Sequence, residues 1–141
     1  MIGFYNEGTP FPFKGKKLSV KTQIMSLIAK ENRNAGDLSF IFCTDNFLLD
    51  INKKHLDHDY YTDVITFDYS VENIVSGDIF ISVERVTENA AEFGVSFYHE
   101  LSRVMYHGVL HLCGYGDKSD DEKQTMREKE DFYLTTLSII E

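Results

Sequence analysis

A chain of 141 residues, 43% of them hydrophobic, can bury one real core, and a single domain covering residues 1–141 is the expected organisation. Its 23 acidic against 14 basic residues leave a net charge of −9, which argues against a general nucleic-acid binder with a basic stripe but leaves room for a local positive groove around a dication. No apolar run of about 18 residues occurs, residues 1–7 lack a basic and apolar signal segment, and Cys43 and Cys113 are the only thiols. A cytoplasmic protein without a membrane span is therefore expected, with both cysteines reduced and packed in the core.

In chain order, Ile2-Gly3-Phe4-Tyr5 reads as a short strand and Gly8-Thr9-Pro10-Phe11-Pro12 as a turn. Helix signals begin near Ser19, where Val20, Ile24, Leu27 and Ile28 share one stripe, and Gly36 is expected to stop the helix. Residues 38–43 alternate as a strand does, and Thr44 or Asp45 can cap a helix carrying Leu48, Leu49 and Ile51. Residues 63–69 and 77–82 read as strands that can pair as a hairpin across Glu72-Asn73. Ser82 can cap a helix through Ala91 that Gly94 ends, and Ser96 opens the next, with Leu101, Val104 and Met105 on its way to His107 and His111. Ser119-Asp120-Asp121-Glu122 has the spacing of a capping box and begins a last helix through about Leu137. Lys14, Lys16, Lys17 and Lys21 cluster early, whereas Asp120, Asp121, Glu122, Glu128, Glu130 and Asp131 crowd the last third. Both runs read as solvated surface, with phosphate contact by the lysines as the alternative.

The most informative stretch is His107-Gly108-Val109-Leu110-His111-Leu112-Cys113-Gly114-Tyr115-Gly116-Asp117. Residues four apart lie on one helix face, so both imidazoles can point at one ion. Gly114 suits the left-handed position that ends a helix, after which the chain can turn back and present Asp117. Two imidazoles and a carboxylate make a three-ligand zinc site with an open fourth position, although the same donors accept other divalent transition metals. The alternative is two core histidines on a helix that happens to end at glycine. The spacing also matches H-E-x-x-H-x-x-G-x-x-H of the metzincins, but Gly108 stands where their general-base glutamate belongs, which argues against a metallopeptidase.

His107-Gly108-x-Leu110-His111-Leu112-x-Gly114-Tyr115 resembles the H-G-x-L-H-L-x-G-Y-D-H signature of the YbeY endoribonucleases, the rRNA maturation factors. Thr62-Asp63-Val64-Ile65-Thr66-Phe67 resembles the family's T-D-V-L-S-F strand, and Gly77-Asp78-Ile79-Phe80-Ile81 its G-D-I-x-I strand. With Asn52 upstream and the acidic helix downstream, the resemblance spans residues 36–137. It implies one α+β domain, a small mixed sheet of about four strands packed by five or so helices. It also implies zinc-dependent, single-strand-specific endoribonuclease activity in ribosomal RNA maturation and ribosome quality control, with ribosomal RNA and ribosomal proteins as partners. Two departures stand out. Aligned without gaps, the family's third histidine falls on Asp117; inserting one residue would instead put Lys118 there, whose ammonium has no lone pair to give. Leu56 stands where many members carry an arginine implicated in RNA cleavage, and His55, Lys53 and Lys54 are the nearby residues that could replace its charge.

Around the centre, Asp63 or Asp78 can accept a hydrogen bond from a ligand imidazole, or act as a turn carboxylate. Thr62 can meet substrate or start its strand. Arg103 can contact phosphate but more readily pairs with Glu100, and Tyr115 can wall the pocket or pack the turn. His55, His58 and His99 read as surface or partly packed side chains, and no residue stands out as general base. The rival readings are a noncatalytic ribosome-associated module with a structural metal and a metallopeptidase-like hydrolase.

Overall fold

The computed structural model describes residues 1–13, 15–58 and 60–137; Lys14 of the basic cluster lies outside them. The elements run β1 (Ile2–Glu7), α1 (Lys17–Lys30), β2 (Asn34–Cys43), α2 (Asp45–Leu56), β3 (Val64–Asp68), β4 (Ile74–Ser82), α3 (Val83–Phe93), α4 (Phe97–Leu112) and α5 (Asp120–Thr136). This is an α+β fold with a mixed sheet of order β1-β2-β4-β3. β1 and β4 run parallel to β2, and β3 closes the edge antiparallel to β4, in the hairpin that the sequence implies. Glu72 takes a left-handed backbone (φ 54°) in that hairpin turn.

The sheet buries both faces unequally. Val75, Gly77, Ile79 and Ile81 alternate along β4 toward the main core, where α1, α4 and α5 add Ile24, Leu27, Val104, Val109, Met126 and Tyr133. On the other face α2 lays Leu48 and Ile51 over Cys43, Ile65, Phe67 and Phe80. Side-chain caps set the helix starts: Thr44, Ser82, Ser96 and Ser119 each accept from a backbone N–H three residues on, and Ser119 and Glu122 complete the capping box.

One boundary differs from the sequence expectation. α1 ends at Lys30, not at Gly36, because Asn32 (φ 60°) supplies the left-handed turn and the chain enters β2 at once. Gly36 instead lies at an irregularity in the β2–β4 pairing, where a Cβ would come 2.2 Å from Ser76 Oγ. Cys43 and Cys113 are free and buried, and burial pushes their thiols up to about 12 and about 11. Both are expected to resist thiol reagents in the native state and to react on denaturation, which a thiol titration checks. Among the described residues, no helix is long and apolar enough to cross a membrane.

Candidate metal centre

α4 is the central helix, and from Glu100 to Leu112 only Arg103, His107 and His111 are not buried. Its last turns carry His107 and His111, then Gly114 (φ 107°) reverses the chain, and the short link to α5 returns Asp117 to the two rings. His107 Nε2 and His111 Nε2 stand 2.9 Å apart, and Asp117 Oδ2 lies 3.4 Å and 3.2 Å from them. One donor atom from each of the three falls within 4.8 Å of the others.

The other nitrogen of each ring is already committed. His107 Nδ1 lies 2.7 Å from a carboxylate oxygen of Glu130, and His111 Nδ1 lies 2.8 Å from the backbone carbonyl of Tyr115. Both partners are acceptors, so each Nδ1 carries the proton and each Nε2 presents a lone pair. Two lone pairs and a carboxylate oxygen then converge with no proton between them. Such an arrangement is repulsive unless a cation occupies the middle, and the donor set suits a divalent ion. Cys113 plays no part, since its thiol belongs to the main core.

Glu130 was expected on a solvated surface and is the largest correction at this site: its side chain is 3% exposed. Met126, Glu130 and Tyr133 form the buried stripe of α5. A carboxylate in an apolar stripe is a signal the sequence does carry, because such a group requires buried partners. Besides His107, it accepts from Arg103 Nη1 at 3.1 Å. Burial would raise this carboxyl, but the hydrogen bond from His107 and the charge of Arg103 outweigh that and hold it below the usual range. Arg103 also pairs with Glu100, itself 1% exposed, at 2.7 Å, and reaches Asp63 at 3.5 Å. The guanidinium therefore serves three carboxylates, and the expected Glu100 pair is one of them. Asp63 sits beside this group; burial raises its carboxyl, with Arg103 and His107 pulling the other way.

Tyr115 packs the turn. Its hydroxyl donates to Glu31 Oε1 at 2.6 Å, while Lys129 donates to Glu31 Oε2 at 3.1 Å and the Tyr133 hydroxyl donates to the same oxygen. This ties α1 and α5 to the loop whose carbonyl orients His111, a link absent from the sequence reading. Burial opposes ionisation of Glu31, but its three donors together lower its pKa below 4.5. The ionised form is thus favoured by folding, so the stabilisation is complete above that ordinary value and fades as pH falls through the lowered one. Glu31→Gln is expected to lose about 1–3 kcal/mol at neutral pH, with the gap to the parent protein narrowing below pH 4.5 in denaturant titrations.

The remaining candidates fall elsewhere. Asp78 is not beside the centre: inward-facing Ile79 forces it onto the α2 face, where Tyr69 donates to it. His55 lies on that face too, edge-on to Phe67, and Leu56 ends α2 partly exposed. His58 stacks on Tyr60, while Thr62 is half-buried just before β3. Gly108 has a steric reason: a Cβ there would lie 2.8 Å from Ile79 Cγ2 and 3.4 Å from Thr66 Cγ2. A side chain at 108 therefore requires the Ile79 side chain, itself packed in the core, to move. Gly108→Glu is expected to destabilise by about 1–3 kcal/mol or more, read from the unfolding midpoint.

Known proteins resemble this chain over most of its length. The family model described as Endoribonuclease YbeY matches residues 12–138. A protein named Endoribonuclease YbeY from Flavobacterium psychrophilum is 56% identical over 116 residues, 82% of this chain and 83% of that one. The protein of the same name from Karelsulcia muelleri is 51% identical over 97% of this chain and 96% of its own. A solution structure of a Thermotoga maritima protein superposes with a TM-score of 0.68 at 32% identity, covering 97% of this chain and 89% of that one.

Proposed function

The chain belongs to the YbeY endoribonuclease family, and from that premise we propose that it cleaves single-stranded RNA at one divalent ion held by His107, His111 and Asp117. Zinc fits this N/N/O donor set well, and the proposed setting is ribosomal RNA maturation and ribosome quality control in the cytoplasm, with ribosomal RNA and ribosomal proteins as partners. The observation that carries the reading is the pair of Nε2 atoms 2.9 Å apart, with the other nitrogen of each ring against an acceptor, Glu130 for His107 and the Tyr115 carbonyl for His111.

An ion bound there supplies a Lewis acid for the scissile phosphate and lowers the pKa of a coordinated water. The chain's own contribution is positional. Glu130 and the Tyr115 carbonyl lock the tautomers and aim the rings. Asp117, whose side chain is 42% exposed, is the most open of the three, so RNA approaches from its side. Arg103, committed to three carboxylates, braces Glu130 rather than gripping phosphate. The crowding at Gly108 weighs against peptidase chemistry.

Incubation of purified protein with single-stranded RNA, with and without chelator and beside His111→Ala, tests this reading. Cleavage lost on chelation, restored by zinc and absent from the variant is the expected result. Cleavage that survives both treatments comes from a contaminating nuclease and removes the enzyme claim. A chain that never cleaves RNA but unfolds on chelation is instead the noncatalytic module with a structural metal.

A further inference from the structure

From His99 onward, the partly exposed residues of α4 form a single row. His99, Arg103, His107 and His111 follow one another at steps of four, and every other residue from Glu100 to Leu112 is buried. This row begins at the metal centre and ends, two turns back, at a cavity of about 270 Å³ between the α3 end, α4 and α5. Two helical turns are about 11 Å, which about two nucleotides of an extended strand span, so the base that reaches the cavity is the second from the scissile phosphate.

The cavity has the chemistry of a base pocket. Phe93, 58% exposed, and Leu134 supply apolar wall, and an exposed aromatic ring is a stacking platform for an unpaired base. Arg127 and Asp131, one turn apart on α5, supply a donor and an acceptor at its edge. Neither is held by an ion pair or side-chain hydrogen bond among the described residues. His99 also lines it, and its buried Nδ1 has no hydrogen-bond partner among the described residues. Phosphate is a poor occupant, because Asp131 and Glu100 face the same space and Arg103 is already neutralised by its carboxylates. A base edge, which needs both donor and acceptor, is a good one.

We propose that this cavity is a subsite for a nucleobase of the RNA strand flanking the scissile phosphate, with Phe93 stacking on the base and Arg127 and Asp131 reading its edge. The proposal rests on the RNA-cleaving reading above. Guanine matches the pair best: its N1–H and N2–H₂ suit the carboxylate, and O6 and N7 suit the guanidinium.

Two measurements test it, and they fail separately. In the first, guanosine 5′-monophosphate and ribose 5-phosphate are titrated into the isotopically labelled protein and followed by NMR. Shifts at Phe93, His99, Arg127 and Asp131 with the nucleotide, weaker or absent with ribose 5-phosphate and lost in Arg127→Ala, are expected. No shift at these residues, or equal shifts with both probes, overturns the subsite whether or not the protein cleaves RNA. In the second, Phe93→Ser and Arg127→Ala, both at exposed positions, are assayed on a single-stranded oligoribonucleotide and on a dinucleotide too short to span to the cavity. KM for the oligonucleotide is expected to rise about tenfold with kcat unchanged, and the dinucleotide to be unaffected. Equal losses on both substrates overturn the subsite. A parent protein that cleaves neither substrate refutes the RNA-cleaving reading alone, and the NMR titration still decides the pocket.

Discussion

His107→Ala is expected to lower RNA cleavage at least about a thousandfold and to abolish stoichiometric metal binding. The first loss follows from the several kcal/mol a Lewis acid contributes to charge stabilisation in such a reaction, about 1.4 kcal/mol for each tenfold. The second follows from geometry: without His107 Nε2, only His111 and the half-exposed Asp117 remain, among the described residues, within reach of the same point. The fold should survive, because the buried Glu130 carboxylate keeps its bond from Arg103 when the ring is removed. Kinetics, elemental analysis and circular dichroism on one preparation check the three statements together. Intact metal content with lost cleavage would move His107 from the ligand set to some other role.

Substitution of Glu130 has the second largest expected effect, and it separates positioning from folding. Glu130→Ala removes the acceptor that fixes His107 and one of the three carboxylates around Arg103. Removing one member of a buried ionic group costs about 3–5 kcal/mol, and the lower end applies because Arg103 retains Glu100. Glu130→Gln keeps the shape and an acceptor oxygen but loses the charge, so stability should fall less. Metal affinity should still weaken by about 10- to 100-fold, the usual cost of disturbing a histidine's outer partner. Competition with a chelator measures the affinity and denaturant unfolding the stability. Equal metal affinity in Glu130→Gln and the parent protein would leave Glu130 a purely structural residue.

What the sequence made legible was local. Caps at Thr44, Ser82, Ser96 and Ser119 and the hairpin turn at Glu72 are set by residues within a few positions, and each formed where the residue types placed it. The two imidazoles and Asp117 belong to one helix end and its exit loop, so their convergence was readable from spacing and one glycine. Contacts between distant segments were less accessible. The partner of His107 is 23 residues away on α5, and the brace on Tyr115 comes from Glu31, 84 residues away. Glu130, which read as surface charge, was drawn inward by donors no local pattern reveals, and Glu31 is held by donors equally distant in the chain. Asp78 failed for another reason. Strand period two sends it to the face opposite Ile79 and Ile81, and once those two are assigned to the core its side chain cannot reach the histidines. Asn32 took the turn expected of Gly36 because asparagine also tolerates the left-handed backbone, which freed the glycine for a close strand approach.

Anomalous diffraction from crystals of protein purified without a nickel column tests the central claim most directly. The expected result is one peak about 2.0–2.2 Å from His107 Nε2, His111 Nε2 and a carboxylate oxygen of Asp117, with Glu130 and the Tyr115 carbonyl still on the opposite ring nitrogens. An empty centre in zinc-supplemented crystals, with Asp117 turned away and one proton shared between the two rings, would contradict it.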